Sequence, residues 1–319
     1  MHVWLIGAGS MAQDYAKVLL DLGPDLTVVG RGEGSAAAFR EATGVEVVTG
    51  GLAGHLAKGS KLPDAAIVSV GVEQLAPTTA LLLDAGVRRV LVEKPGGLDS
   101  AGIAALADKA DALGAEVVLG YNRRFYASVL AAREAIAEDG GVTSFTFEFT
   151  EWSHVIATLQ KPREVFDNWF LANSTHVVDM AFFLGGTARE VAAFRSGALP
   201  WHPRGAAFTG AGLTGAGVPF SYHANWAAPG RWGVEVLTAK RRFIFRPLEQ
   251  LQVQELGSVA ITPVAIDDSL DKAFKPGLHR QTAAFLEGRT TDFCTLREQV
   301  ETCRIYDRIC PRPVPDNNA

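Results

Sequence analysis

The sequence predicts a two-domain α/β protein: a nucleotide-binding half over residues 1–121, followed by residues 122–319 with a large open, mainly antiparallel sheet. Three observations predict it. Through the first 120 residues, six short apolar runs alternate with stretches rich in Ala and Leu, and strands alternating with helices imply a parallel sheet covered on both faces. From Val142 onward a period of two takes over, first in "TSFTFEFTEW" and again around "WGVEVLT" and "RRFIFRP". That is the pattern of an antiparallel sheet with one face toward solvent or a partner. Finally, 319 residues exceed the usual single domain and suit two, each with a core.

The strands of the first half read "HVWLI", "LTVVG", "VEVV", "AAIVSV", "RVLVE" and "AEVVLG". In the second half "STHVVDMAFFL" reads as a helix, with Asn173 placed to cap its start and Gly185-Gly186 to end it. The glycine-rich stretch Gly205 to Gly217 reads as a flexible loop and "CPRPVPDNNA" as a frayed tail. No internal repeat is present.

Composition excludes several classes. Apolar residues make up 48% and charged residues 20%, as in globular proteins. A net charge of -5 without like-charge blocks argues against nucleic acid as a partner. No apolar run reaches the ~18 residues of a membrane helix, and "MHVWLIGAGS" lacks the basic start of a secretory signal. Cys294, Cys303 and Cys310 have neither CxxC spacing nor nearby histidines. They read as reduced thiols of a cytoplasmic protein, not as a disulfide frame or a zinc site, and no metal is expected.

"WLIGAGSMA" places Gly7, Gly9 and Ala12 in the G-x-G-x-x-G/A pattern between a strand and a helix. Gly7 permits the tight turn, Gly9 lets a pyrophosphate approach the backbone, and Ala12 lets the helix pack on the strand. Ser10 and Met11 complete the first turn, whose amides face the phosphates. At the end of the second strand, where NAD sites hold the ribose with an acid, stand Gly30 and Arg31. A guanidinium can grip a 2′-phosphate, so NADP(H) is favoured over NAD(H). A solvated Arg31 is the alternative, and Glu33 could instead reach the ribose.

The stretch "VLVEKPGGL" ends the fifth strand in two charges and a proline. Together with the glycine loop, "GYNRRF" and "STHVVD", it resembles the Gfo/Idh/MocA oxidoreductases, the family of glucose–fructose oxidoreductase and inositol dehydrogenase. The resemblance runs over nearly the whole chain. "ANWAAPGRWGVEV", "RPLEQLQ" and "FKPGLHRQ" look like members that modify sugars and surface polysaccharides. The resemblance implies a Rossmann domain followed by an α/β substrate and oligomerisation domain, a homo-dimer or tetramer, and hydride transfer on a sugar or nucleotide-sugar.

It implies roles as well. Lys94 meets the substrate oxygen beside the nicotinamide, with Pro95 fixing its direction and Glu93 lining the ribose end. His176 works with Lys94 as the second catalytic residue. Asn122 joins the cofactor site, and one of Arg123 and Arg124 holds ligand while the other supports the fold. Trp152, Trp169, Asn173 and Asp179 are candidate substrate residues; core packing is the alternative for both tryptophans, and anchoring of the fold for Asp179. One departure stands out. Many relatives carry an Asp four residues before the His, where this chain has Ala172. Two alternatives to an NADP(H) sugar oxidoreductase follow: an NAD-dependent polyol or inositol dehydrogenase, and a non-catalytic cofactor-binding sensor or scaffold.

Overall fold

The computed structural model describes residues 1–311; the rest of the expected tail, 312–319, lies outside them. The chain divides into two compact units, residues 1–125 with 269–300, and residues 126–268 with the C-terminal stretch from 301. Among the described residues no helix is long and apolar enough to cross a membrane.

The six expected strands of the first unit all form: β1 (His2–Ile6), β2 (Asp25–Val29), β3 (Val47–Val48), β4 (Ala65–Val68), β5 (Arg89–Val92) and β6 (Glu116–Leu119). They pair in parallel in the order β6-β5-β4-β1-β2-β3. Strands β1 to β3 step one way from β1 and β4 to β6 the other, so the order reverses between β1 and β4. Ligands of such sheets bind beyond the carboxyl ends at that reversal. Helix α1 (Ser10–Leu22) carries Ala12, Tyr15, Ala16 and Leu19 at helical spacing and buries them on Val3, Leu5, Ile67, Leu91 and Val118. Gly23 ends it in the left-handed conformation, φ 73°.

Residues 269–300 return to this unit. Strand Cys294–Thr295 adds antiparallel to β6, and helix Leu278–Leu286 buries Leu278 and Phe285 in the same core as α1. Polar ties hold the return in place: Asn122 Nδ2 donates to the Pro276 carbonyl at 2.9 Å, and Arg124 pairs with Glu298 at 2.7 Å.

The second unit is built on eight strands: β7 (Ser144–Glu148), β8 (Ala188–Ser196), β9 (Ala207–Thr214), β10 (Pro219–Asn225), β11 (Gly233–Leu237), β12 (Arg241–Phe245), β13 (Gln252–Glu255) and β14 (Thr262–Pro263). Their order is β14-β13-β12-β11-β7-β10-β9-β8. Every pair is antiparallel except β7 with β10, which confirms the open, mainly antiparallel sheet. Alternation sends Phe145 and Phe147 of β7 and Phe220 and Tyr222 of β10 to one face, where Phe182 of helix Thr175–Gly185 meets three of their rings at 5.3–6.1 Å. Gly185 lets that helix close on the sheet, since a Cβ there would fall 2.4 Å from the Phe145 ring.

The stretch expected to be a flexible loop is strand β9. Its glycines are packing devices. A Cβ on Gly210 would sit 2.4 Å from the Tyr222 hydroxyl, and one on Gly212 would sit 2.0 Å from the Glu190 carbonyl and 2.6 Å from the Phe220 ring. Aromatic residues of β10 fill the space that side chains on β9 would need. Gly212→Ala is therefore expected to lower stability by about 1–3 kcal/mol, as overpacking does. Gly215→Ala, with nothing within 4 Å of its Cβ, should stay within about 0.5 kcal/mol. Urea unfolding of the two variants checks both.

Candidate functional site

The carboxyl edge of the first sheet gathers the residues expected to hold a cofactor. Gly7 leaves β1 at φ 127°, and a Cβ on it would lie 2.1 Å from the Ser69 carbonyl oxygen after β4. Glycine is the only residue that fits. The chain then enters α1 with Gly9 as N-cap and no side-chain cap, so the first-turn amides of Ser10, Met11 and Ala12 stay open to an anion. A Cβ on Gly9 would meet nothing within 4 Å, which leaves room for a pyrophosphate. Ala12 is fully buried under the loop. These residues fit a dinucleotide.

At the end of β2, Gly30 is crowded: a Cβ would stand 2.9 Å from Val47 and 3.2 Å from Ala8. The acid that would hold an NAD ribose has no room there. Arg31 follows, exposed, and makes no ion pair among the described residues. Glu33, also exposed, opens helix α2 (Glu33–Thr43).

Beyond β5 comes Glu93-Lys94-Pro95, its Lys94–Pro95 bond cis. Glu93 turns toward α1, where it accepts a hydrogen bond from the Tyr15 hydroxyl at 2.7 Å. Gly120, at the end of β6, makes this possible. A Cβ there would lie 3.1 Å from both the Glu93 and Tyr15 oxygens and 3.3 Å from the Gln281 amide nitrogen. Burial raises the Glu93 carboxyl above the usual carboxylate range, opposed by Tyr15 and by Lys94 and Lys275. Burial, with Glu93 alongside, pushes the Tyr15 phenol well up too. The next loop is anchored from the returning segment, where Gln299 donates to the Tyr121 hydroxyl at 3.0 Å and to the Pro95 carbonyl at 3.3 Å.

In "GYNRRF" the two arginines differ in burial. Arg124 is buried in its pair with Glu298, while Arg123 is only partly buried. The Asn122 amide is engaged by the Pro276 carbonyl.

In the second unit, residues Phe170–Ser174 form a π-helical turn, and the regular helix starts at Thr175 with no side-chain cap. The expected Asn173 cap is absent. Its Nδ2 donates instead to Glu151 at 2.9 Å, and Ser174 Oγ donates to the same carboxylate oxygen at 2.7 Å. The wider turn presents both side chains to the chain that follows β7, an arrangement common near functional sites. Glu151 is 3% exposed. Sequence reasoning missed this carboxylate, although it follows the alternating run "TSFTFEFT" as a lone acid beside Trp152. The ring of His176 lies 6.0 Å from that of Trp232, and Asp179, on the same helical face, is buried. Trp169 is core: it stacks on Phe166 at 5.9 Å and meets Trp201 edge-on at 5.8 Å. Trp152 is 46% exposed. Ala172 is buried one turn before His176.

Residues 1–121 match the family model described as an oxidoreductase family with an NAD-binding Rossmann fold, GFO_IDH_MocA. The match covers strands β1 to β6. The matched residues are thus similar to the NAD-binding Rossmann part of an oxidoreductase family. No curated protein matches the sequence. Solved structures share the fold over nearly the whole chain. UDP-N-acetylglucosamine 3-dehydrogenase GnnA from Acidithiobacillus ferrooxidans matches at 17% identity and a TM-score of 0.74, covering 97% of this chain and 96% of its own. Levoglucosan dehydrogenase, in complex with NADH and L-sorbose, matches at 18% and 0.77, covering 97% and 95%. A putative NADPH-dependent oxidoreductase from Desulfitobacterium hafniense matches at 16% and 0.76, covering 95% and 92%. At these identities the likeness is one of fold.

Within the matched residues, the Tyr15 hydroxyl favours the charged form of Glu93. Tyr15→Phe removes that donor, so Glu93 is expected to titrate still higher than in the parent protein. A carbon-detected NMR titration of the labelled glutamate carboxyls reads the shift and its sign.

Proposed function

We propose that this protein is an NADP(H)-dependent oxidoreductase that transfers a hydride to or from a sugar or sugar derivative. The observation that carries the reading is the carboxyl edge of the first sheet. The glycine cradle after β1 and Lys94 after β5 flank β4, two strand spacings or roughly 10 Å apart. One end suits the phosphates of a dinucleotide and the other its reactive ring.

The bound dinucleotide would supply or accept the hydride. The protein's own groups handle the rest. Lys94 is read as the donor to the substrate oxygen on which charge develops, and His176 as the residue that exchanges its proton near neutral pH. Glu151, engaged by Asn173 and Ser174, is read as the carboxylate that replaces the one absent at Ala172. Arg31, with no carboxylate against it among the described residues, is read as the partner of a 2′-phosphate.

NADPH is expected to bind more tightly than NADH, and Arg31→Ala to remove most of the difference. A charge-assisted pair is worth about 1.5–3 kcal/mol, roughly one to two decades in affinity. Titrating both cofactors into both proteins decides it. NADH binding as tight as NADPH would shift the reading to an NAD-dependent polyol or inositol dehydrogenase, with Glu33 on the ribose.

Lys94→Ala and His176→Ala should each lower kcat by roughly 10²-fold or more, the scale of a lost proton-transfer group. NADPH affinity should hardly change. Asp179→Asn should cost less than either, and Glu151→Gln should alter the pH profile of kcat in addition to its height. Nicotinamide absorbance with a panel of sugars and nucleotide-sugars is the measurement. Binding without turnover across the panel would favour the non-catalytic sensor instead.

The open sheet of the second unit leaves Thr146, Glu148, Ser221 and His223 on the face opposite its phenylalanines, half-buried or exposed. A second copy of the chain would cover that face, giving a homo-dimer or tetramer. Light scattering at micromolar concentration reads the mass, and a monomer would overturn the idea.

A further inference from the structure

The segment that returns to the first unit brings two glutamines into its core, Gln281 and Gln299, both with no exposed surface. They differ in what they meet. Gln299 donates to the Tyr121 hydroxyl and the Pro95 carbonyl. Gln281 has no partner among the described residues, at either its amide nitrogen or its amide oxygen. It stands on helix Leu278–Leu286 with Leu278, Thr282 and Phe285, the buried seam of that helix, where burial alone selects an apolar residue. A buried amide left unanswered lowers stability, whereas an apolar side chain of the same shape does not. A polar group kept against that cost points to a use.

Its neighbours narrow the use. The point where a Cβ on Gly120 would stand lies 3.1 Å from Glu93 Oε1, 3.1 Å from the Tyr15 hydroxyl and 3.3 Å from Gln281 Nε2. Three polar atoms ring a space that a glycine keeps open at the end of β6. Two of them are already joined, Tyr15 donating to Glu93. The cations acting on Glu93 are Lys94 and Lys275, and Lys275 is shared with Asp14 of α1 at 3.2 Å. His279 and Arg280, beside Gln281, are taken by Asp21 and Asp271, and Arg124 beyond β6 by Glu298. An ionised carboxylate has two oxygens and room for about four hydrogen bonds. The Gln281 amide is an uncharged donor within one side-chain rotation of it.

We propose that Gln281 is a positioning residue for Glu93: its amide N–H is the second donor, beside Tyr15, that turns to the carboxylate when Glu93 ionises. Burial holds Glu93 above the usual carboxylate range, and a donor reserved for the charged form brings its titration back down. Through Glu93 the amide acts on Lys94, because a neighbouring carboxylate kept in its charged form favours the ammonium form of the lysine. Only this last step rests on the role proposed for Lys94 above.

Gln281→Met keeps the length of the side chain and removes the amide. In a carbon-detected NMR titration of the labelled glutamate carboxyls, Glu93 should move up. Linkage fixes a companion sign. A donor that lowers the titration of Glu93 in the folded state adds stability above that titration and none below it. In urea unfolding, Gln281→Met should therefore equal or exceed the parent at low pH and fall behind as the pH rises through the Glu93 titration. Gln281→Glu keeps a polar group of the same shape but adds a like charge, and should also move Glu93 up. With a substrate that turns over, kcat of Gln281→Met on the acid side of its pH profile should fall roughly tenfold, the scale of one lost hydrogen bond to a charged group. Its plateau should change less than about twofold. An unshifted Glu93 in both variants, or a stability loss in Gln281→Met that is the same at every pH, makes Gln281 a buried amide of the fold alone and overturns the proposal. A shifted Glu93 with an unshifted kcat profile overturns the link to Lys94. Absence of turnover in the parent protein refutes the reaction proposed above, and the NMR and urea results still decide the role of Gln281.

Discussion

The carboxyl edge of the first sheet depends on there being no side chain at residue 7. With the Ser69 carbonyl oxygen only 2.1 Å from where a Cβ would stand, β1 and the loop after β4 lie as close as two backbones can. That closeness aims the start of α1 across the reversal in strand order. Ala12 and Ala16 extend the economy of space into the helix. Where the backbone packs this tightly, affinity for an anion comes from amides already pointed outward, and little need be reorganised on binding.

The second unit solves a different problem. Its helix must lie flat on an aromatic sheet and still present a histidine, and Gly185 and the π-helical turn do this between them. Gly185 admits the Phe145 ring at one end of the helix, and the turn at the other hands Asn173 and Ser174 to Glu151. A carboxylate from another part of the chain, Glu151, thus meets the start of this helix. A negative charge near a helix start is favourable wherever it originates in sequence, because the field of the exposed amides falls on space and not on residue order.

How far the sequence was legible follows from these particulars. The six parallel strands and the glycine cradle were plain, because buried strands are continuous apolar runs and the loop chemistry is local. Strand β9 was misread, since glycine in a strand looks like a turn until the rings of Phe220 and Tyr222 that occupy its space are known. Asn173 suited a cap by residue type, yet a π-helical turn and a partner 22 residues away drew it elsewhere. Glu151 and Arg231 lay inside "TSFTFEFTEW" and "ANWAAPGRWGVEV", yet nothing local marked either side chain. Their surroundings, the donors Asn173 and Ser174 for one and two indoles for the other, exist only after folding. The segment from residue 269 to 300 gave no compositional sign that it belongs with the first 125 residues, because its ties are single side chains such as Asn122 and Gln299.

That returning segment makes the order of synthesis matter. A ribosome releases the parallel sheet early, but β6 then stands as an open edge, and unpaired edges invite association with other chains. Its covering strand, Cys294–Thr295, is translated only after the entire sheet of the second unit. The Pro95 carbonyl likewise waits for Gln299. The nascent first unit therefore carries an exposed edge and a loosely held Glu93–Lys94–Pro95 turn for most of elongation, at about 5–20 residues per second. Completion of the cofactor half is thereby coupled to completion of the chain, and a message truncated anywhere in the second unit yields a sheet without its last strand.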